Sequence, residues 1–249
     1  MSVLLYEKRN NIAYITLNRP DSLNAFNNEL AEAFGDALVS YRDDPSLQVA
    51  ILTGEGRAFS TGADLKEMTA QGQTAGTRAL RTPVSEEVWK PIIAAIDGFA
   101  LGGGFFIALE CDIRIATERA KLGDVSTRVG TWGSMHMYSK MPFGEALYMH
   151  LTGTPLNAED AHRIGLVHKV FPDREAMMQE AEAIAEEIKL AAPLALQAIK
   201  RLGATSLLKT GDDVDAQSKV LSQQVAKSED AKEGPRAFAE KRKPVWKMR

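Results

Sequence analysis

Apolar residues along this chain form two patterns, continuous runs and runs with helical spacing. Residues 49–53 and 92–96 are almost entirely apolar, which is typical of strands that are covered on both faces. Residues 12–17 also read as a strand, and residues 27–41 place apolar side chains at every third or fourth position, which predicts a helix with one buried face. Strands that alternate with helices predict an α/β core built from crossover units.

The second half of the chain has a different pattern, because helical spacing dominates after about residue 140. Helices are predicted over residues 177–188, 193–202, 212–226 and 230–240. We therefore divide the chain into a predicted core of residues 1–190 and a predicted helical region of residues 191–249. Residues 71–82 show no periodicity and contain two glycines, and we expect a mobile loop over a site there.

Composition places the chain among ordinary globular proteins. It has 249 residues, of which 45% are hydrophobic and 25% charged, and a net charge of −3, which argues against a surface devoted to nucleic acid. Cys111 is the single cysteine; we expect a small buried residue and a reducing compartment. The beginning of the chain does not resemble a signal peptide, and no apolar run is long enough for a membrane span. These features predict a cytoplasmic protein without a membrane partner.

Two common ligand motifs are missing. Gly54 and Gly56 begin like a dinucleotide fingerprint, but the third glycine is not present, and there is no phosphate-binding Gly-Lys-Ser/Thr loop. The four histidines do not pair at metal-ligand spacing with one another or with the cysteine. The sequence therefore predicts no metal site.

The most informative stretch is Gly102, Gly103 and Gly104. It follows the apolar run of residues 92–98 and opens a helix-like segment, residues 105–110. Glycines between a strand and a helix let a ligand approach the bare backbone, and the first amides of a helix lie unpaired at its positive end. The alternative is tight packing of helix on strand. The stretch favours a site for a negative oxygen, as when a carbonyl becomes an anion.

Several motifs occur in a fixed order around these glycines. They are residues 17–20 (LNRP), 59–67 (FSTGADLKE), 95–104 (AIDGFALGGG), 151–153 (LTG), 165–167 (GLV) and 238–244 (FAEKRKP). Together they resemble the crotonase family of enoyl-CoA hydratases and isomerases over nearly the whole chain. The resemblance implies an α/β fold, a spiral of β-β-α turns with a C-terminal helical region. It also implies a homotrimer or a dimer of trimers, in which residues 191–249 form the trimerisation region.

The resemblance further implies an acyl-CoA substrate, with coenzyme A as part of the substrate and no separate cofactor. The two backbone N–H groups of the family's oxyanion hole fall on Ala63 and Gly103, which agrees with the interpretation of the glycine stretch. In the family a C-terminal lysine meets the nucleotide end of coenzyme A; here that residue is Lys241, with Lys66 and Arg19 as companions. The predicted substrate contacts are Leu23, Ser60, Asp64, Leu65, Lys66, Gly104, Phe106, Ser126, Trp132 and Lys241.

The chain departs from the family at the two glutamates with which its hydratases handle water. Phe106 stands at the first glutamate position, and Ser126 stands at the second, within residues 123–126 (GDVS). Neither Phe nor an unassisted Ser is a competent general acid or base at neutral pH. These replacements argue against hydration by the two-glutamate route. They leave open a decarboxylase or hydrolase relative, or an acyl-CoA-binding protein without catalysis.

Replacement acid/base groups can be sought near the same segments. His136 lies in the stretch that should line the acyl pocket, where an imidazole could be a base, although a surface or packing role is an alternative. Asp124 lies two residues before the second glutamate position, where a turn or capping role is the alternative. Glu110 fits a structural hydrogen bond better, and Tyr138 is a weaker candidate. A Ser-His-Asp triad remains open, because its members need not be neighbours in sequence.

Overall fold

The protein is described here from a computed structural model. It describes residues 2–70, 80–129 and 135–206, together with residues 220, 223, 224, 227–231, 233, 237, 240, 242 and 244–249. The described strands are β1 (Leu4–Arg9), β2 (Ile12–Leu17), β3 (Val49–Gly54), β4 (Ala58–Ser60), β5 (Ile92–Ile96), β6 (Phe99–Leu101), β7 (Ile113–Thr117), β8 (Lys121–Gly123), β9 (Leu156–Asn157) and β10 (Lys169–Phe171). The described α-helices are α1 (Asn28–Asp43), α2 (Leu65–Ala70), α3 (Gly103–Glu110), α4 (Phe143–Thr152), α5 (Ala158–Arg163), α6 (Arg174–Ile188) and α7 (Pro193–Ser206).

The strands form two mixed sheets. The larger sheet has the order β1-β2-β3-β5-β7-β10, and the smaller one has the order β4-β6-β8-β9. In the larger sheet only the β1–β2 pair is antiparallel, and in the smaller one only the β8–β9 pair.

From β3 to β8, successive strands alternate between the two sheets, which makes the fold a spiral. The chain runs from β3 to β4 and α2, then from β5 to β6 and α3, then through β7 and β8 towards α4. Each turn adds one strand to each sheet and then returns through a helix. The predicted α/β spiral of β-β-α turns with C-terminal helices is therefore confirmed.

The hydrophobic core lies on both faces of the larger sheet. All residues of β3 and β5 are buried, as their continuous apolar runs predict. Ile51 and Ile93 point to the face covered by α6, where they pack with Met177. Leu52 points to the opposite face, which belongs to the main core beneath the smaller sheet and α1. The spiral thus holds the short strands of the smaller sheet against a rigid, fully buried layer.

The helix boundaries follow local signals in the sequence. The predicted helix over 27–41 is α1, and the side chain of Asn27 caps it by accepting a hydrogen bond from the Leu30 amide at 2.9 Å. Pro193 opens α7 as predicted. The predicted helices over 212–226 and 230–240 fall mainly outside the described residues.

The described end of the chain folds back onto earlier segments. The Asp230 carboxylate, 1% exposed, accepts hydrogen bonds from the amides of Lys247 at 2.7 Å and Met248 at 3.0 Å. Trp246 donates its indole N–H to the carbonyl of Lys189 at 3.1 Å. These contacts attach the C-terminus to the end of α6. Among the described helices, none combines the length and apolar character needed to cross a bilayer.

Candidate active site

The candidate site lies where three parallel strands of the smaller sheet end side by side. Strands β4, β6 and β8 are neighbours in that order and run parallel. The carboxyl ends of adjacent parallel strands lie at one sheet edge, and ligands of open α/β sheets bind there. The segments that follow these strands carry Ala63, Gly103 and Asp124. Tertiary structure therefore unites three motifs that are far apart in the sequence.

Gly62 sets the turn after β4. Its φ of +86° is in the left-handed region, which favours glycine. A Cβ atom there would lie 2.6 Å from the nitrogen of Gly103, so only glycine allows this approach. The Gly62 carbonyl accepts from the Phe26 amide at 2.7 Å, and the Asp64 amide donates to the Phe26 carbonyl at 3.0 Å. In such an extended segment the intervening amide of Ala63 points away from Phe26.

The glycine stretch joins β6 to α3. Gly102 takes φ +50° and ψ −122°, and α3 begins at Gly103. Gly104 must also be small, because a Cβ atom there would lie 2.4 Å from the carbonyl oxygen of Ser60. One detail differs from the sequence interpretation: the strand before the glycines is the three-residue β6, separated from the apolar strand β5 by Gly98 at φ +74°.

The amides of Ala63 and Gly103 lie close together. A Cβ atom on Gly103 would lie 3.8 Å from the Ala63 nitrogen. Within the described part of the chain, no acceptor is recorded for either N–H group, and Ala63 is exposed while Gly103 is half-buried. The Gly103 amide also opens a helix, where the dipole favours negative charge. Two such donors can stabilise an oxygen as it becomes an anion.

Ser60 and Asp64 lie beside these amides, but their polar atoms have partners in the protein. Ser60 is fully buried; its hydroxyl donates to the Asn24 carbonyl at 2.8 Å and accepts from the Gly62 amide at 3.1 Å. Asp64 pairs with Arg19 at 3.0 Å and accepts from the Glu67 amide at 3.3 Å. Burial alone would raise the pKa of Asp64, but the Arg19 and amide contacts lower it overall. Both side chains shape the turn that carries Ala63.

Leu23, Leu65 and Lys66 surround the same turn. Leu23 has φ +51°, and its carbonyl accepts from the Thr61 amide at 3.2 Å. Leu65 and Lys66 are both exposed at the start of α2. The structure thus brings these residues together with Ala63, Gly103 and Gly104.

The two residues at the glutamate positions belong to different elements, α3 and the segment after β8. Phe106 is half-buried in the first turn of α3, with its ring centroid 5.9 Å from that of Phe105. Ser126 follows β8, whose Gly123 carbonyl accepts the amide of Gly102 at 3.0 Å. The side of the site beside α3 is therefore apolar, and the side beside β8 is polar.

Asp124 is buried at the end of β8 and links Ser126 to two further residues. Its Oδ1 accepts from the Ser126 amide at 2.8 Å and from the Ser126 hydroxyl. Its Oδ2 lies 2.9 Å from His150 Nε2, and His150 Nδ1 lies 2.9 Å from the Tyr138 hydroxyl. The Nε2–Oδ2 contact is close but poorly aligned, and neither atom has another partner among the described residues.

His150 is the site residue that sequence reasoning missed. It lies near the end of α4, with its side chain 10% exposed and turned inward. The sequence gives Tyr138 only as a weaker candidate. Both are more than ten residues from Asp124 in sequence, so no local motif connects the three. The one available signal is a polar residue on the buried face of a helix, beside Ala146 and Met149.

Some predicted site residues fall outside what the structure describes. Trp132 and Lys241 lie outside the described residues, as do residues 71–79 of the predicted loop. His136 belongs to the 3-10 turn Met135–Ser139, but its side chain is not among those described. In the described tail, Arg242 pairs with Glu233, and both Lys247 and Arg249 pair with Glu229.

Other candidate groups have structural surroundings. Glu110 accepts a hydrogen bond from the Val84 amide at 3.1 Å. Cys111 is 2% exposed, and burial raises the pKa of its thiol to about 12. Over the residues that the structure describes, no three His, Cys, Asp or Glu side chains are grouped to hold a metal ion.

Comparison with known proteins gives matches over nearly the whole chain. A family model described as enoyl-CoA hydratase/isomerase matches residues 7–249. The chain is 38% identical to (E)-benzylidenesuccinyl-CoA hydratase from Thauera aromatica, covering 97% of both chains. It is also 38% identical to carnitinyl-CoA dehydratase from Salmonella typhi, covering 100% of both.

A solved structure, that of enoyl-CoA hydratase from Mycobacterium tuberculosis H37Rv, is similar over 100% of both chains, with 35% identity and a TM-score of 0.92. The sequence match and the fold agree over the same length. The chain therefore belongs to the enoyl-CoA hydratase/isomerase family, the crotonase superfamily, as an acyl-CoA-processing member.

Proposed function

We propose that this protein stabilises the enolate of an acyl-CoA thioester and moves a proton at the α-carbon without the paired glutamates of the family's hydratases. The observation that carries the proposal is that the amides of Ala63 and Gly103 lie close together after adjacent strands, with no acceptor for either among the described residues. The thioester oxygen accepts both N–H groups, so charge moving onto it is stabilised as it forms.

The replaced glutamates bear on the type of reaction. Phe106 offers no proton acceptor on the α3 side, so a water held between two carboxylates is not supported there. The relatives at 38% identity are a hydratase and a dehydratase. We therefore place 2-enoyl and 3-hydroxyacyl thioesters first among the proposed substrates. Polar groups in the segment after β8 would transfer the proton.

The hydrolase alternative is less well supported. In a Ser-His-Asp triad the histidine contacts the serine directly and takes its proton. Here the Ser126 hydroxyl contacts Asp124, and His150 lies on the far side of that carboxylate. This order does not activate Ser126 as a nucleophile through His150.

The proposal also assigns residues to the coenzyme A end and the acyl end of the substrate. Lys66 and Lys241 would meet its phosphates, and Phe106 and Trp132 would line the acyl pocket, with Leu23 and Leu65 nearby. Phosphates favour such cationic partners. His136 stays a proposed acid/base group, as an alternative to Asp124.

The test follows α-deuterium incorporation in D2O. Crotonyl-CoA, cinnamoyl-CoA, 3-hydroxybutyryl-CoA and butyryl-CoA are incubated with the protein, and mass spectrometry measures α-deuterium, added water and released coenzyme A. We expect enzyme-dependent α-deuteration of at least one thioester. Release of coenzyme A alone would favour the hydrolase, and binding without any turnover would favour a non-catalytic protein.

Two variants at Gly103 distinguish the effect of losing its N–H group from the effect of adding a side chain. Gly103→Pro removes the N–H at the first position of a helix, which proline tolerates. Gly103→Ala keeps the N–H and adds a Cβ that would come no nearer than 3.4 Å to Gly62 Cα. We expect Gly103→Pro to lose about a hundredfold or more in rate and Gly103→Ala to lose far less. Equal rates in the two folded variants would contradict the role of this amide.

A further inference from the structure

Behind Ser126 the structure contains a continuous chain of polar groups that the enolate proposal does not itself require. It runs from the Ser126 hydroxyl to Asp124 Oδ1, from Asp124 Oδ2 to His150 Nε2, and from His150 Nδ1 to the Tyr138 hydroxyl. The four residues come from the segment after β8, from α4 and from the 3-10 turn Met135–Ser139. This set is called the polar chain below.

The middle of the polar chain is buried, and its two ends, Ser126 and Tyr138, are half-buried. The Asp124 side chain is 0% exposed and that of His150 is 10% exposed, while Ser126 is only half-buried. The Asp124 amide is covered by the Met149 sulfur at 3.1 Å. Burial of a carboxylate and an imidazole is costly unless every polar atom is satisfied. Of the two half-buried ends, Ser126 is the one that follows Gly123, whose carbonyl contacts the glycine stretch.

The proton positions follow from which atoms can donate. An ionised Asp124 can only accept, so His150 Nε2 carries a proton, and in the neutral imidazole Nδ1 then accepts from the Tyr138 hydroxyl. If Asp124 takes up a proton at Oδ1, that O–H donates to the Ser126 hydroxyl oxygen, and Oδ2 stays an acceptor facing the Nε2–H of His150. The imidazole is already protonated at Nε2, so the proton stays on Asp124. Asp124 can thus hold one extra proton while its contact with His150 is unchanged.

The position of the polar chain fits that role. Gly123, which precedes Asp124, pairs with Leu101 across the β6–β8 ladder, and its carbonyl accepts the Gly102 amide at 3.0 Å. Adjacent strands lie about 4.8 Å apart. Asp124 and Ser126 therefore leave their strand next to the point where Gly103 opens α3.

We infer that Ser126 and Asp124 form the proton relay of this enzyme, and that His150 and Tyr138 are positioning residues that support Asp124; the inference rests on the proposed function. When the α-proton leaves, its C–H bond breaks and the electron pair moves towards the thioester oxygen. A new O–H bond forms at Ser126 Oγ, and the hydroxyl's original proton passes to Asp124 Oδ1. The reverse transfers return the proton to carbon.

Asp124→Asn tests the relay with little risk to folding. The Asn carbonyl can still accept from Ser126, and its NH2 can donate to His150 Nε2 once His150 takes the other tautomer. Each polar contact keeps a compatible donor and acceptor, but the proton acceptor is lost. We expect α-deuterium exchange to fall by about a hundredfold or more, with unchanged calorimetric affinity for acetoacetyl-CoA.

The other variants distinguish catalysis from structural support. Ser126→Ala should lower kcat for α-exchange to a similar extent, whereas Thr127→Ala, an exposed neighbour, should change nothing. His150→Asn and Tyr138→Phe should lower kcat by less than Asp124→Asn and leave KM unchanged. A purely structural role predicts lower thermal stability or higher KM instead of this separation.

The outcomes separate this inference from the proposed function. If Asp124→Asn or Ser126→Ala is folded, binds acetoacetyl-CoA and exchanges α-protons within twofold of the wild type, the relay is wrong and the enolate proposal stands. If the wild-type protein exchanges no thioester of the panel, the proposed function fails and the relay fails with it.

Discussion

Gly62 carries two separate constraints at the centre of the site. Its backbone is in the left-handed region at φ +86°, and a Cβ atom would lie 2.6 Å from the Gly103 nitrogen. The first constraint concerns stability, and the second concerns the distance between the two proposed oxyanion donors. A substitution at Gly62 therefore affects folding and catalysis through different physical causes.

Gly165 offers a matched control for Gly62. Gly165 has φ +78°, but nothing lies within 4 Å of the position of a Cβ atom. We expect Gly165→Ala to lower the free energy of unfolding by about 1–2 kcal/mol through backbone strain alone and to leave kcat unchanged. Gly62→Ala should cost more, because it adds a steric clash, and should lower kcat by separating the amides. Thermal unfolding and α-exchange rates measure both effects; equal kcat in the two variants would contradict the geometry.

Single residues also show where sequence reasoning succeeds and fails. Close approach to the backbone at Gly103 and Gly104 can be predicted, because glycines between a strand and a helix indicate it. The role of Gly62 depends on its distance from Gly103, which the sequence does not show. His150 cannot be predicted, since its importance depends on α4 bringing it to Asp124, 26 positions earlier in the chain. Phe106 and Ser126 are noticed only because they stand where the family's hydratases have their two glutamates.

At the scale of elements, turns between short strands are held by buried polar contacts. Asp97 lies between β5 and β6; it is 1% exposed and accepts from Thr117 at 2.8 Å and from Arg119 at 2.6 Å. Burial alone would raise the pKa of Asp97, but these hydrogen bonds and the Arg119 charge lower it below its ordinary value. The contacts tie the β5–β6 turn to the β7–β8 turn, and both lead into site strands.

The lowered pKa of Asp97 predicts how stability depends on pH. A carboxyl group whose pKa is lower in the folded state stabilises the protein above its unfolded pKa of about 3.9, and this contribution is lost as pH falls through the folded value. Asp97→Asn should lower the free energy of unfolding by about 1–3 kcal/mol at pH 7. The figure is modest because the Arg119 side chain is 55% exposed, so solvent weakens its ion pair with Asp97.

Denaturant titrations between pH 7 and pH 2 measure this difference. The gap between wild type and Asp97→Asn should narrow as the pH falls below about 4. Asp36→Asn, which removes an exposed pair with Arg81, should stay within about 0.5 kcal/mol of the wild type throughout. A gap for Asp97→Asn that does not change with pH would contradict the assignment.

The sequence predicts only some of the strands and helices. The long apolar strands β3 and β5 and the helix α1 are visible from periodicity alone. Strands β4, β6 and β8 have three residues each, too few to show a period, yet they carry the site. Their existence depends on pairing with one another, which is a tertiary property.

At the scale of the whole molecule, the spiral explains how distant motifs meet. Each β-β-α turn places one short strand beside the previous one in the smaller sheet, so the segments after β4, β6 and β8 accumulate at one edge. The resemblance that the motifs carried could predict this spiral. The sequence could not show the inward face of α4, because that contact depends on how the last spiral turn packs against β8.

Oligomeric state is also a property of the whole molecule, and we predict a homotrimer or a dimer of trimers. In the C-terminal region, Ile199, Val220 and Val245 are 66%, 55% and 67% exposed, so these apolar side chains are available for burial between subunits. We expect light scattering after gel filtration to give three or six times the mass of one chain. Ile199→Glu should lower that mass, whereas Gln197→Glu on the same helix should not. A monomeric wild-type protein would contradict the prediction.

The position of the thioester oxygen tests the central claim most directly. A crystal structure with acetoacetyl-CoA would show it. Our account predicts that oxygen within about 2.7–3.1 Å of both the Ala63 and the Gly103 nitrogens. A thioester oxygen bound elsewhere, or in contact with only one of these amides, would contradict it.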